Sequence, residues 1–145
     1  MVTSLQTVYR LVLAALLSGL VGIEREAHGR AAGLRTHILV CVGSTLIMLT
    51  SLYMFDIYSA KAAIDPGRIA ANVITGIGFL GAGTIIRWGS SVKGLTTAAS
   101  IWAVSGIGLA IGCGYYFGAV VTTLIILVTL QLLRKVEGAV ALKKD

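Results

Sequence analysis

The chain has 145 residues, 57% of them hydrophobic and 12% charged, with one proline and a mean hydropathy of +0.91. A domain this small cannot bury so much apolar surface in water, so the composition excludes a soluble globular protein and points to lipid as the solvent. The net charge of +6 does not indicate a nucleic-acid partner, because the cations stand scattered at the ends of apolar runs instead of gathering on one face.

The first charge-free stretch, Leu11 to Ile23, is 13 residues long. At ~1.5 Å per residue it falls short of a bilayer core of ~30 Å, so the span must begin near Leu5 and carry Arg10 into the membrane edge, with Gln6 one turn away on the same face. A cleaved signal peptide is the competing reading. Ser18-Gly19-Leu20-Val21-Gly22 runs into Glu24-Arg25-Glu26 without a cleavage pattern, so the segment reads as a retained span. Glu24 and His28, and Glu26 and Arg30, stand four apart with the acid first, which predicts a helix continuing past the membrane to a stop at Gly33.

Ile38 to Phe55 and Ile69 to Ile86 are charge-free for 18 residues each. Asp65 suits the N-cap of the latter helix and Pro66 its first turn, where a missing N–H costs nothing. Leu95 to Leu133 runs 39 residues without a charge, broken only by Gly112-Cys113-Gly114; it reads as two helices joined by a tight glycine turn. The expectation is an all-α membrane protein, one transmembrane domain over 1–145 with five spans near 5–23, 38–55, 69–86, 95–111 and 115–133.

Lys and Arg set the orientation. Arg25, Arg30 and Arg35, then Arg87 and Lys93, then Arg134, Lys135, Lys143 and Lys144 fall on one side; Lys61 and Arg68, with Arg10 nearby, fall on the other. Basic loops stay in the cytoplasm, so the N-terminus is expected outside and the C-terminus inside. Cys41 and Cys113 then lie at opposite ends of spans, cannot bridge, and read as small packing residues.

Gly76, Gly78, Gly81 and Gly83 crowd the third span. A dinucleotide fingerprint needs a strand before it and a βαβ context, which this chain lacks. In a bilayer, small residues let helices approach closely, as do the four-residue pairs Ser18/Gly22, Gly78/Ala82, Gly108/Gly112 and Gly114/Gly118. A sharper alternative is that the glycines loosen the helix and free carbonyls to line a cavity. Gly19-Leu-Val-Gly22 with Gly33-Leu-Arg-Thr36 is echoed by Gly78-Phe-Leu-Gly81 with Gly94-Leu-Thr-Thr97, a weak repeat in which spans one and two duplicate spans three and four. Five thin helices enclose little core, so a homo-oligomer is expected, most simply a two-fold dimer through the small-residue face of span three or five, with Gly78 or Gly114 at the contact.

Polar groups kept in a membrane are costly and mark function. The topology brings Glu24, Arg35 and Thr36 at the first inner hairpin to the level of Arg87, Thr96 and Thr97 at the second, with Glu24 expected to pair with Arg35 or Arg87. Asp65, Arg68 and Asn72 form a second group near the outer end of span three; the Asn72 amide is expected to meet another helix, whereas Thr75, Ser100 and Ser105 can bond back to their own helices. Arg10 is read as snorkelling to the surface. His28 and His37 read as solvated loop residues. No nucleophile and base recur at one depth, so no enzyme is expected. No cofactor is called for; magnesium takes oxygen ligands and keeps waters, which leaves its binding open and its ligands unassigned.

Gly22-Ile-Glu24-Arg25-Glu26 leading to Ala32-Gly33-Leu34-Arg35-Thr36-His37, then Pro66-Gly67-Arg68-Ile69-Ala70-Ala71, Gly76-Ile-Gly78-Phe79-Leu80-Gly81-Ala82-Gly83 and Gly94-Leu-Thr-Thr97-Ala98-Ala99-Ser100-Ile-Trp102 resemble the MgtC/SapB family of bacterial inner-membrane proteins, in order across all five spans. The resemblance implies a multi-pass inner-membrane protein associated with growth in low magnesium and, in pathogens, with survival inside macrophages. It also implies regulatory action through other membrane proteins, including the proton-driven ATP synthase, in place of established magnesium transport. The end at Asp145, Thr96 within the Gly-Leu-x-Thr block and Trp88 after Arg87 depart from the virulence branch and lead us to expect a short, general member without that branch's soluble C-terminal domain. Two function classes follow: a regulator that binds other membrane complexes, or a small ion carrier or channel, for which the carboxylates (Glu24 and Glu26 inside, Asp56 and Asp65 outside) leave mid-span empty.

Overall fold

The computed structural model describes residues 2–60 and 64–141, with side chains through Leu133. The expectations placed on Lys61, Lys143 and Lys144, and on the side chains of Arg134 and Lys135, lie outside the described residues.

Helix α1 spans Ser4–Ala27 and starts in a capping box: the Thr3 hydroxyl accepts from the Gln6 N–H while the Gln6 side chain accepts from the Thr3 N–H. It stops earlier than the charge spacing predicts. The His28 N–H turns back to the carbonyls of Arg25 and Glu26, and Gly29 takes a positive φ of 60°. Gly33 is therefore the N-cap of α2 (Leu34–Tyr58) and not the end of α1, and Glu26 carries that cap, its Oε2 accepting the Leu34 N–H at 2.8 Å. Helix α3 (Pro66–Gly83) opens as expected, with Pro66 in the first turn and Asp65 Oδ1 accepting from the Gly67 N–H at 2.8 Å. It ends at Gly83, so Ile86, expected in a helix, begins a short antiparallel hairpin instead: β1 (Ile86–Trp88) against β2 (Ser91–Lys93), with Ile86 opposite Lys93 and Trp88 opposite Ser91. Gly89 at φ 61° turns it. Helix α4 (Leu95–Cys113) ends on Gly114 at φ 91°, and α5 (Tyr116–Ala141) follows at once, as the glycine turn predicts.

Among the described residues, five helices and one small hairpin make an all-α membrane protein. Among the described residues, four helices, α1, α2, α4 and α5, are long and apolar enough to cross a bilayer. The third is the exception to the five expected spans: Pro66, Gly67, Arg68 and Asn72 make the first two of its 18 residues' worth of turns too polar.

Lipid is as apolar as leucine, so tight packing and polar contacts, not burial from water, hold such helices together. Helices α1, α2 and α4 form the centre, with Ala14, Val21, Cys41, Val104, Ile107 and Ile111 fully enclosed or nearly so. Here glycine is essential. A Cβ on Gly22 would stand 2.7 Å from Leu34 Cα, one on Gly112 2.5 Å from Met48 Cβ, and one on Gly108 would overlap the Cys41 carbonyl. Helix α3 buries only the stripe Val73, Ile77 and Gly81. Of its four glycines from Gly76 onward, Gly81 lies beside Ala98, where an added Cβ would stand 3.6 Å from the Ala98 Cβ; a Cβ at Gly76, Gly78 or Gly83 would meet nothing within 4 Å. Nor do they loosen the helix, which runs unbroken through them. Gly114 serves as a cap instead of a packing residue.

Candidate functional site at the helix hairpins

The first two turns past Gly22 bring α1 and α2 close, and charge is trapped there. Arg25 Nε lies 2.5 Å from Glu24 Oε2, with the two side chains 3% and 4% exposed. His28 Nδ1 lies 2.6 Å from the Glu24 carbonyl and 3.1 Å from Glu24 Oε1. Both oxygens only accept, so that nitrogen carries the proton. Neighbouring helix residues rarely face each other, which is why spacing points to more distant partners. The short ion pair is made by Arg25 and not by Arg35 or Arg87, both of which are exposed.

His37 is fully buried, which corrects its reading as a solvated loop residue. The Gly33 carbonyl can only accept, so His37 Nδ1–H donates to it at 2.8 Å, leaving Nε2 3.0 Å from Ser100 Oγ on α4. Ser100 Oγ also lies 2.8 Å from the Thr97 carbonyl. His37 thus ties the start of α2 to α4, within electrostatic range of Arg25 and Glu24.

The expected inner cluster is split. Glu24 and Thr97 are buried; Arg35, Arg87 and Thr96 are exposed, Arg87 Nε donating to the Gly89 carbonyl at 3.2 Å within its hairpin. Thr36, half-buried, lines a cleft of about 440 Å³ between the α1–α2 loop and the end of α3. The outer group is likewise dispersed. Asp65 caps α3, Arg68 is exposed, and Asn72 lines a groove of about 510 Å³ between α2 and α3, where its amide makes no hydrogen bond among the described residues. The amide therefore stands exposed on the groove wall and bonds to no other helix among the described residues.

Arg10 does not snorkel. Its Nε donates to the Tyr116 hydroxyl at 2.8 Å and its Nη1 to the Gly112 carbonyl at 2.7 Å, while the guanidinium sits 5.8 Å from the centre of the Tyr116 ring. It caps the C-terminal end of α4, where the helix dipole favours a cation. Ser51 reaches the Pro66 carbonyl at 3.0 Å and ties α2 to α3 at the same end. Hydroxyls deeper in the bundle bond to carbonyls of their own helix, Ser18 to Ala14, Thr45 to Cys41, Ser105 to Trp102 and Thr123 to Ala119, and Thr45 also reaches the Gly108 carbonyl on α4. Among the described residues, no three His, Cys, Asp or Glu side chains come together to hold a metal ion, and both cysteines are free.

Comparison with known proteins adds a second line. Residues 11–139 match the sequence profile of the MgtC family. The chain is 47% identical over 131 residues to the Escherichia coli K12 protein named "Putative magnesium transporter YhiD", covering 86% of this chain and 61% of that one. It is 44% identical over 128 residues to Protein MgtC of Salmonella typhimurium LT2, covering 88% and 52%, and 41% identical over 127 residues to an uncharacterized protein of Haemophilus influenzae, covering 85% and 53%. The chain thus spans between half and two thirds of the length of these relatives. No solved structure matches it.

Proposed function

The chain belongs to the MgtC family, and from that premise we propose that it is a non-enzymatic regulator of other membrane proteins in magnesium homeostasis, required when magnesium is scarce. The observation that carries this reading is how the bundle uses its polar groups. The Ser18, Thr45 and Thr123 hydroxyls bond to helix carbonyls, and the half-buried Arg10 and the buried Glu24 and Arg25 sit at helix ends in a cap and an ion pair. A transport path calls for polar groups near the midplane that can exchange their partners for an ion. A regulator calls for exposed surfaces, and α3 and the two hairpins provide them through Asn72, Arg35, Arg87 and Thr96.

In this reading the protein sits in the bacterial inner membrane, with its N-terminus outside and its C-terminus in the cytoplasm, and needs no cofactor. The partners are other membrane complexes, the proton-driven ATP synthase among them, and a second copy of this chain packed through α3, where Gly76, Gly78 and Gly83 leave room for a facing helix. With Cys41 and Cys113 replaced, an impermeant thiol reagent on intact cells should label Ser59→Cys and spare Ser90→Cys; the reverse pattern contradicts the orientation. A small cation carrier is the second reading, favoured by the name that YhiD bears.

Growth separates a functional surface from a structural one. In cells lacking the protein and grown in low magnesium, Arg35→Gln and Asn72→Ala, both at exposed positions, should each fail to restore growth at normal membrane level. Full restoration by both would remove these residues from the function.

A further inference from the structure

The cleft beside Thr36 lies where α1 turns into α2 and α3 turns into the hairpin, so it opens at the membrane boundary. Its walls are Ala31, Thr36, Phe79, Ala82, Thr84 and Ile101, apolar apart from two hydroxyls. Thr84 bonds to the Gly81 carbonyl at 2.8 Å, whereas the Thr36 hydroxyl makes no hydrogen bond among the described residues. The volume of about 440 Å³ falls within the range of ligand sites, about 300 to 1,000 Å³.

The two connections that flank the cleft, between α1 and α2 and between α3 and α4, are charged in one sense. Within residues 24–37 and 84–94 the exposed cations are Arg30, Arg35, Arg87 and Lys93, and the one exposed carboxylate, Glu26, already holds the Leu34 N–H. Arg35 precedes Thr36 in sequence and Arg87 follows Thr84 by three. Beside them stand large apolar side chains in the open: Phe79 is 84% exposed and Trp88 85%. Each hairpin strand has three residues, which reach about 10 Å, so the hairpin cannot leave the membrane interface. Basic side chains with aromatic neighbours at that depth are the signature of anionic headgroup contact.

We infer that this cleft binds an anionic phospholipid of the surrounding leaflet, with acyl chain against Phe79 and Ile101 and headgroup phosphate at Arg35, Arg87 and the Thr36 hydroxyl. Charge complementarity selects the anionic class, and the apolar wall next to the cations selects a lipid over a soluble anion. The site is independent of the regulatory reading, since a carrier would hold the same lipid.

Trp88 reports on it. The chain has two tryptophans, and Trp102→Phe leaves Trp88 as the sole emitter. In nanodiscs, brominated phosphatidylglycerol should quench Trp88 at a mole fraction about fivefold lower than brominated phosphatidylcholine, the effect of about one effective cation–phosphate contact. The double variant Arg35→Gln/Arg87→Gln should bring that ratio to about one. Ala82→Leu, which fills the cleft and keeps both cations, should lower it too; an unchanged ratio there would mean diffuse surface attraction and no site. Excess inorganic phosphate should leave the preference intact, and its abolition would make a soluble anion the ligand. Equal quenching by the two lipids in the parent protein overturns the inference and leaves the cations to an acidic protein surface.

Discussion

Helices α4 and α3 both carry glycines at packing distance in sequence, and they use them in opposite ways. On α4, Gly112 presses so close to α2 that a Cβ would stand 2.5 Å from Met48 Cβ, and Gly108 is closer still to the Cys41 carbonyl. On α3, a Cβ at Gly76, Gly78 or Gly83 would meet nothing within 4 Å. Small residues permit close approach; whether it happens is decided by what the opposite face offers. Helix α2 offers α4 polar anchors, Thr45 bonded to the Gly108 carbonyl and His37 to Ser100. Helix α3 is joined to α2 by Ser51 at its N-terminal end, and its far face is left to lipid or to a partner.

The locked region should therefore break and the open one should not. The largest effect is expected at Arg25→Gln, which leaves Glu24 buried without its short ion pair; such losses cost about 3 to 5 kcal/mol, read as a lower unfolding midpoint in mixed detergent micelles. An unfolding midpoint close to the parent's would mean that the pair is not the lock. Next comes the contrast between glycines. Gly112→Leu overpacks the α2–α4 contact and should cost about 1 to 3 kcal/mol, whereas Gly78→Leu should change the stability of the monomer by no more than about 0.5 kcal/mol while reducing the dimer fraction seen by crosslinking. Equal losses of stability would erase the distinction between the two helices.

Local features are legible in the sequence. Asp65-Pro66 capped α3 and Gly114 turned α4 into α5 because both signals act within a few residues. The hairpin is also written in the chain, as Ile86-Arg-Trp and Ser91-Val-Lys around Gly89-Ser90, but counting charge-free runs assigns Ile86 to a span and leaves 87–94 as a plain loop. The end of α1 was misread for a similar reason: i,i+4 charge pairs extend a helix only until a glycine takes positive φ, and Gly29 does so before Gly33. The site was less legible because its decisive contacts are distant. His37 meets Ser100 across 63 residues and Arg10 meets Tyr116 across 106, separations that no local pattern encodes. Arg25 was hidden differently, as one basic residue among the cations that set topology.

The reading as a regulator stands most directly on magnesium flux. Liposomes containing only this protein and an enclosed magnesium indicator should take up magnesium no faster than protein-free liposomes, with the topology and folding of the inserted chain verified in the same preparation. Saturable uptake that rises with the amount of protein would contradict the regulatory reading and make the chain a carrier.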